Sequence, residues 1–137
     1  MQRGCAISII SASLAILCVS VVLRIFFMPE YQYEGTSKII YVIELAVTDY
    51  NKDYGSYPTG GNQSIAKVLL GDNSRNKAYL SSDSIVMRNG QFVDLWKHPL
   101  RLIKDGSGIT VLSAGKNGAF DDADDITSGR AFADLGN

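Results

Sequence analysis

The amino-acid sequence predicts an α+β protein with an N-terminal transmembrane helix. Three observations support this: an uncharged apolar stretch at residues 5–23, a helical apolar period from about Ser37, and short alternating segments after Ser84. The order long helix, short helix, small antiparallel sheet and irregular carboxyl-terminal loop is typical of α+β folds. We therefore expect a leader and transmembrane helix at residues 1–29 and an extracytoplasmic domain at residues 30–137.

The apolar stretch is long enough to cross a bilayer. Its 19 residues rise about 28 Å as a helix, close to the ~30 Å hydrocarbon core. Arg3 and the α-amine favour a cytoplasmic amino terminus, which places the domain outside the cytoplasm. Pro29 is expected to stop or kink the helix. A signal peptide cleaved near residues 18–20 is the alternative interpretation.

Two helices are predicted in the domain. Apolar residues recur every three or four positions, at Ile39, Ile43, Ala46, Val47, Tyr50 and Tyr54. This period indicates an amphipathic helix that Gly55 ends as a left-handed cap. A shorter helix is predicted at residues 63–70, with Gly71 after it.

Four short strands are predicted next, at residues 84–88, 91–93, 99–104 and 109–113. The last two alternate clearly between apolar and polar residues, and the linker at residues 105–108 is rich in turn formers. A β-hairpin is therefore expected there.

Charge and motif content exclude several functions. The chain has 13 basic and 14 acidic residues, a formal net charge of −1, so no basic excess points to nucleic acid. The domain has one histidine, His98, and no cysteine, and no nucleophile–base or phosphate-binding motif occurs. We expect no enzyme and a structural role for His98. A secreted hydrolase is the weaker hypothesis that His98 and scattered carboxylates leave open.

The densest group of chemically capable side chains lies near the carboxyl end, at residues 113–126. Four carboxylates fall within residues 121–125, and a calcium ion would relieve their repulsion by accepting oxygen ligands in flexible geometry. Gly115 and Gly118 allow the backbone to turn carbonyls inward. The spacing is not that of an EF-hand, and a solvated acidic turn is an equally good interpretation.

Several segments, in this order, resemble the type II secretion pseudopilins of the type IV pilin-like superfamily, most closely the major, G-type subunit. They are Glu-Leu-Ala and Tyr in residues 44–50, Asp-Tyr-Gly-Ser-Tyr-Pro-Thr at 53–59, Asp-Leu-Trp-Lys-His-Pro-Leu at 94–100, Ser-Ala-Gly-Lys-Asn-Gly at 113–118 and Asp-Asp-Ile at 124–126. Together these pieces span most of the domain.

The resemblance implies a structural subunit of the inner membrane with its carboxyl-terminal domain in the periplasm. Its long helix would pack on a small sheet in the pilin-like manner and assemble with other pseudopilins into a filament. That filament, built on an inner-membrane secretion platform, would support protein export. Trp96 and Pro99 resemble buried structural residues of the family.

The resemblance also implies a calcium ion in the carboxyl-terminal loop. The residues implied to hold it, by side chain or main-chain carbonyl, are Asn117, Asp122, Asp124, Asp125, Ser113 or its neighbour Ala114, and Phe120. Asn117 stands where the family has aspartate, so one negative charge is lost, and Asp121 and Asp125 are near enough in sequence to replace it.

The amino terminus departs from the family. Gly4–Cys5 resembles the processing junction of the precursors, but Ile9 stands at the fifth mature position, where the family has glutamate. Apolar packing alone would then set the position of the subunit. The alternative function is a signal-anchored extracytoplasmic binding module that does not polymerise.

Overall fold

The structure, a computed structural model, describes residues 3–106 and 108–127; for residues 3–14, 25–27, 29 and 105 it describes the backbone alone. The first helix, α1 (Arg3–Tyr54), contributes to both of two compact units. The unit Met1–Gln32 contains its amino-terminal part, and the unit Tyr33–Asn137 contains the rest of α1 and all other elements. The α+β class predicted from the sequence is confirmed.

The amino-terminal unit exposes apolar side chains along α1, Ile16 and Leu17 among them. Among the residues whose side chains are described, no helix combines the length and the apolar character needed to cross a membrane. Gly4, Cys5 and the first half of the predicted segment 5–23 lie outside those residues.

Of the two outcomes expected at Pro29, the end of the helix is wrong. α1 runs through Pro29 and through the polar stretch that follows it. A proline removes one N–H donor from a helix interior but does not prevent helical turns on either side. Thr36 is fully buried, and a Cβ on Gly35 would overlap Leu95 Cδ1. Packing within the domain therefore stabilises α1 around Gly35 and Thr36.

The predicted apolar face of α1 is confirmed. The buried residues of α1 that join the core are Ile39, Ile40, Ile43, Ala46 and Val47. The helix ends at Tyr54, and Gly55 follows with a φ of 67° and donates its N–H to Asn51 O at 2.8 Å. The sequence signal for a left-handed glycine cap is therefore also confirmed.

The second helix, α2 (Asn62–Leu69), lies within one residue of the prediction and holds the first strand pair in place. Asn62 Nδ2 donates to Phe92 O at 2.9 Å and to Leu100 O at 2.7 Å, while Asn62 Oδ1 accepts from Phe92 N at 2.7 Å. One side chain thus satisfies main-chain groups of two segments 30 and 38 residues away.

In the described part of the chain, five strands follow a one-turn 3₁₀ helix (Ser82–Ser84). They are β1 (Met87–Arg88), β2 (Gln91–Phe92), β3 (Arg101–Asp105), β4 (Gly108–Ser113) and β5 (Ile126–Thr127). Strands β1 and β2 form an antiparallel pair, and β3, β4 and β5 form an antiparallel sheet in that order. The hairpin β3–β4 is confirmed with Asp105 opposite Gly108, but β5 falls where an irregular tail was expected.

The sheet packs on α1, and one polar contact crosses between them. Val111 of β4 is fully buried and donates its N–H to Glu44 Oε1 of α1 at 3.2 Å. Within the described ranges β5 pairs with Leu112 and Ser113. The Glu44 carboxylate satisfies the main-chain donor of the preceding residue, Val111. The core thus lies between α1, α2 and the two sheets.

Candidate functional site

The acidic loop of residues 114–125 connects β4 to β5 and begins at a buried polar pair. Ser113 and Asp94 are both fully buried, and Ser113 Oγ donates to Asp94 Oδ2 at 2.7 Å. Asp94 Oδ1 accepts from His98 N at 2.8 Å, and Gly115 N donates to Ser113 Oγ at 3.1 Å. The start of the loop is therefore fixed to the turn at residues 94–98 by a network in which the two bonds of Ser113 Oγ are buried.

His98 closes the same network from the surface side. Its Nδ1 lies 3.0 Å from Gly115 O and 3.7 Å from Asp94 Oδ2. Because a carbonyl oxygen accepts but does not donate, the short contact to Gly115 requires a proton on Nδ1. A Cβ on Gly118 would lie 2.9 Å from His98 Nε2, so the loop passes close over the imidazole ring.

Serine, histidine and aspartate form the catalytic triad of many hydrolases, but the hydrogen bonds among Ser113, His98 and Asp94 differ from those of a triad. A nucleophilic serine must be hydrogen-bonded to its base and open to substrate. Ser113 is instead bonded to Asp94 and has no exposed surface. The arrangement joins two loops and does not activate a nucleophile.

The carboxylates of the loop bind its own main chain. Asp124 Oδ2 accepts from Asn117 N at 3.2 Å, and Asp122 Oδ1 accepts from Asp124 N at 3.1 Å. Asn117 Nδ2 donates to Asp122 Oδ2 at 2.7 Å, and Asn117 Oδ1 accepts from Ala119 N at 2.7 Å. These bonds direct the side-chain oxygens toward N–H groups of Asn117, Ala119 and Asp124, inside the loop itself.

The pKa of Asp122 lies below its usual value of 3.8. The hydrogen bond with the side chain of Asp124 is the largest cause, and the Asn117 amide and the Asp124 main-chain N–H add to it. The carboxylate of Asp122 therefore stays ionised to lower pH than an isolated aspartate, because the Asn117 amide and the Asp124 main-chain N–H donate to its ionised form.

The remaining acidic residues of the loop have separate partners. Asp121 N donates to Asp125 Oδ2 at 2.8 Å, while Asp125 Oδ1 is buried and has no hydrogen-bond partner in the described ranges. Arg101 Nη1 of β3 lies 3.5 Å from Asp121 Oδ1, and its guanidinium lies 3.8 Å from the centre of the Phe120 ring. The middle of the loop is thus held against β3 by a cation that stacks on an aromatic ring.

The sequence-predicted calcium ligands share one loop but do not form one cluster. Across residues 3–106 and 108–127, no group of three or more His, Cys, Asp or Glu residues is placed to hold a metal ion. The side-chain oxygens of Asn117 and Asp122 and one each of Asp124 and Asp125 already accept hydrogen bonds. The arrangement does not fit a formed calcium shell. Within the described part of this loop, Asp125 Oδ1 is the buried side-chain oxygen that still lacks a partner.

Trp96 and Pro99, both expected to be buried, differ in their exposure to solvent. Trp96 is half-buried and packs on the core, with an indole N–H that lies buried and finds no acceptor among the described residues. Pro99 is exposed, so its expected burial is wrong. It forms an isolated bridge with Val93, where the main chain and not the ring makes the contact.

A second polar cluster, which the sequence did not single out, joins the end of α1 to residues 75–79. Asp53 Oδ2 accepts from Lys77 Nζ at 2.6 Å and from Tyr79 Oη at 2.7 Å. Tyr50 stacks on Tyr54 at 4.2 Å between ring centres and meets Tyr79 edge to face at 5.4 Å. The tyrosines on the last turns of α1 are the feature of the sequence that could have indicated this cluster.

The same contacts shift two pKa values in opposite directions. Hydrogen bonds from Lys77 and then Tyr79 lower the pKa of Asp53 below 3.8. Desolvation, followed by the hydrogen bond to Asp53, raises the pKa of Tyr79 to about 12. Both shifts favour the pair in which Asp53 is ionised and Tyr79 is neutral.

The chain was also compared with known proteins. No family model, no curated protein and no solved structure matches it.

Proposed function

We propose that this protein is a structural, pseudopilin-like subunit of a type II secretion or type IV pilus-like filament that supports protein export. The observation that carries the proposal is α1, one helix of 52 residues whose carboxyl-terminal part forms one side of an α+β core. The ordered motif set from residue 44 to residue 126 is the second support.

The surface of α1 supplies a physical reason for assembly. The exposed large apolar side chains of its amino-terminal part are Ile16, Leu17, Val19, Val21, Val22 and Leu23. Contiguous exposed apolar surface on a protein is stabilised when lipid or another protein covers it. In the proposed filament, the inner membrane and neighbouring subunits cover this surface, and the carboxyl-terminal domain lies in the periplasm.

Calcium binding remains a prediction of the family resemblance and of the acidic composition of the loop. The buried Asp125 Oδ1 without a donor favours an additional partner there. The hydrogen bonds already made by Asp122 and Asp124 compete with such a partner. The filament proposal does not depend on this ion.

Photo-crosslinking of the full-length chain in a bacterium with a type II secretion system tests the proposal. A crosslinking residue at Ile16, which is exposed on α1, is expected to form adducts with further copies or with other pseudopilins. The same residue at Asp83, exposed on the 3₁₀ helix, serves as the matched control and is expected to form few. If Ile16 yields adducts with neither partner while the chain is membrane-bound, the filament proposal is wrong.

The alternative, a signal-anchored binding module that does not polymerise, is favoured by Ile9 at the position of the family glutamate. Amino-terminal sequencing of the protein from native membranes separates the two. A mature chain beginning at Cys5 indicates prepilin-type processing and supports filament assembly. A chain that retains Met1 supports the fixed anchor, and one that begins near Val21 indicates a released domain.

A further inference from the structure

A small pocket lies between the β1–β2 hairpin and the turn at residues 94–97. Its volume is about 160 Å³, and its lining residues are Arg88, Asn89, Gln91, Val93, Lys97 and Pro99. Sites that bury drug-sized ligands usually hold roughly 300–1,000 Å³. The pocket is therefore suited to a small ion or to one end group of a larger molecule.

The lining of this pocket carries two cations and no carboxylate. Neither Arg88 nor Lys97 forms an ion pair with a carboxylate of residues 3–106 or 108–127, so both charges face solvent without a counter-charge. The cations that do pair are Lys52, Arg75, Lys77 and Arg101. Asn89 and Gln91, whose side chains carry amide N–H donors, belong to the same lining. Residues that carry a guanidinium, an ammonium and amide N–H groups around one concavity are suited to an oxyanion.

The backbone at the rim adopts a conformation that most side chains avoid. Lys97 has a φ of 75°, and Asn89 has a φ of 52°. Asparagine tolerates this left-handed region, whereas lysine is destabilised there relative to glycine. Strained residues of this kind concentrate at ligand-binding positions, where the side chain has a use that offsets the strain.

The walls of the pocket are held by contacts that do not involve the two cations. Val93 is 1% exposed and is bridged to Pro99, so the floor is fixed. The hydrogen bonds of Asn62 to Phe92 hold β2 against α2. A ligand would therefore meet preformed walls, which lowers the ordering cost of binding.

We propose that this pocket binds a phosphate- or sulfate-sized oxyanion through Arg88 and Lys97, either as the free inorganic ion or as the terminal phosphate of a larger molecule. The proposal is independent of filament assembly, since it rests on residues of the carboxyl-terminal domain alone.

Equilibrium dialysis of radiolabelled inorganic phosphate against the full-length protein in neutral detergent, at constant ionic strength, tests the proposal. We expect one saturable site. Arg88→Gln and Lys97→Gly are each expected to weaken binding about tenfold, since each removes one charge-assisted contact. Lys67→Gln, which removes an exposed charge from α2, is the matched control and should bind as the unaltered protein does.

Lys97→Gly also separates a binding role from a structural one. Glycine adopts a positive φ without strain, so this variant is expected to melt at a higher temperature while binding phosphate more weakly. Binding that does not saturate, or affinity unchanged in both Arg88→Gln and Lys97→Gly, would overturn the proposal. Competition with glycerol 3-phosphate shows which of the two ligands the pocket prefers. If glycerol 3-phosphate binds more tightly than inorganic phosphate, the ligand is a phosphorylated molecule. If it binds more weakly, the ligand is the free ion.

Discussion

Ser113 and Asp94 are 19 residues apart in the chain, and a 2.7 Å hydrogen bond joins their fully buried side chains. Removing one partner from a buried polar pair leaves the other without the contacts that water would have supplied. The bond therefore determines how firmly the acidic loop is attached to the turn at residues 94–98.

Ser113→Ala is expected to destabilise the protein by about 1–3 kcal/mol, because Asp94 Oδ2 and the Gly115 N–H both lose a partner. Denaturant unfolding followed by the fluorescence of Trp96, the single tryptophan, measures this. Ser82→Ala, at an exposed serine, should change the free energy of unfolding little. Equal values for the two variants would mean that the buried bond contributes no stability.

A comparison of Gly115 with Gly55 separates two costs of replacing a glycine: backbone strain and a clash with neighbouring atoms. Both have positive φ, 59° and 67°, but a Cβ on Gly115 would overlap the Asp124 main-chain oxygen, whereas a Cβ on Gly55 meets nothing within 4 Å. Gly55→Ala should cost about 1 kcal/mol from backbone strain alone. Gly115→Ala should cost roughly 3 kcal/mol or more. Thermal unfolding of both variants checks the difference, and similar losses would contradict the close passage of residues 115 and 124.

The cluster of Asp53 and Tyr79 predicts a loss of stability at both ends of the pH range. The pKa of Asp53 is lowered in the fold, so its contribution is present above 3.8 and is lost as pH falls through its folded value. The pKa of Tyr79 is raised from 10.0 to about 12, so its contribution is present below 10 and is lost as pH rises toward 12.

Denaturant unfolding across pH tests these two slopes separately. Asp53→Asn should flatten the acid side, and Tyr79→Phe should flatten the alkaline side. Asp49→Asn, which removes the exposed ion pair to Lys52, is the control for a surface carboxylate. Acid and alkaline slopes that survive in the Asp53 and Tyr79 variants would assign the pH dependence to other groups.

Calcium binding by the folded loop predicts a higher melting temperature with calcium than with a chelator. An ion bound by the native state alone adds RT ln(1 + [L]/Kd), about 2.7 kcal/mol at one hundred times Kd. Asp122→Ala combined with Asp124→Ala should remove the gain. Coincident melting curves in the unaltered protein would mean that hydrogen bonds alone hold the loop in its folded form.

Helices and turns that depend on neighbouring residues were predicted correctly from the sequence. The periodicity of Ile39 to Tyr54 and the glycine at residue 55 gave one helix and its end, and the turn formers at 105–108 gave the hairpin. Strand β5 has two residues, Ile126 and Thr127, too few for a period to be visible. Gly35 and Thr36 of α1 contact Leu95, a pairing of distant residues that no short window of sequence contains.

The candidate site was predictable in composition and not in geometry. Acidic residues and glycines mark residues 113–126, but the pairing of Ser113 with Asp94 and of His98 with Gly115 joins distant segments. The Asn89-Gly90 pair was a visible hairpin signal, with both φ values positive. The pocket beside it depends on Lys97, whose backbone conformation is not readable from residue type.

The contact between Glu44 and Val111 has a consequence for colloidal behaviour. An open sheet edge offers unpaired main-chain groups to other chains, and such edges promote aggregation unless something blocks them. Glu44 accepts from the Val111 N–H of β4, next to the residues that pair with β5, and it places a negative charge beside that donor. At this position the helix carboxylate already holds the main-chain donor that a foreign strand would need, so intermolecular β-pairing through Val111 is disfavoured.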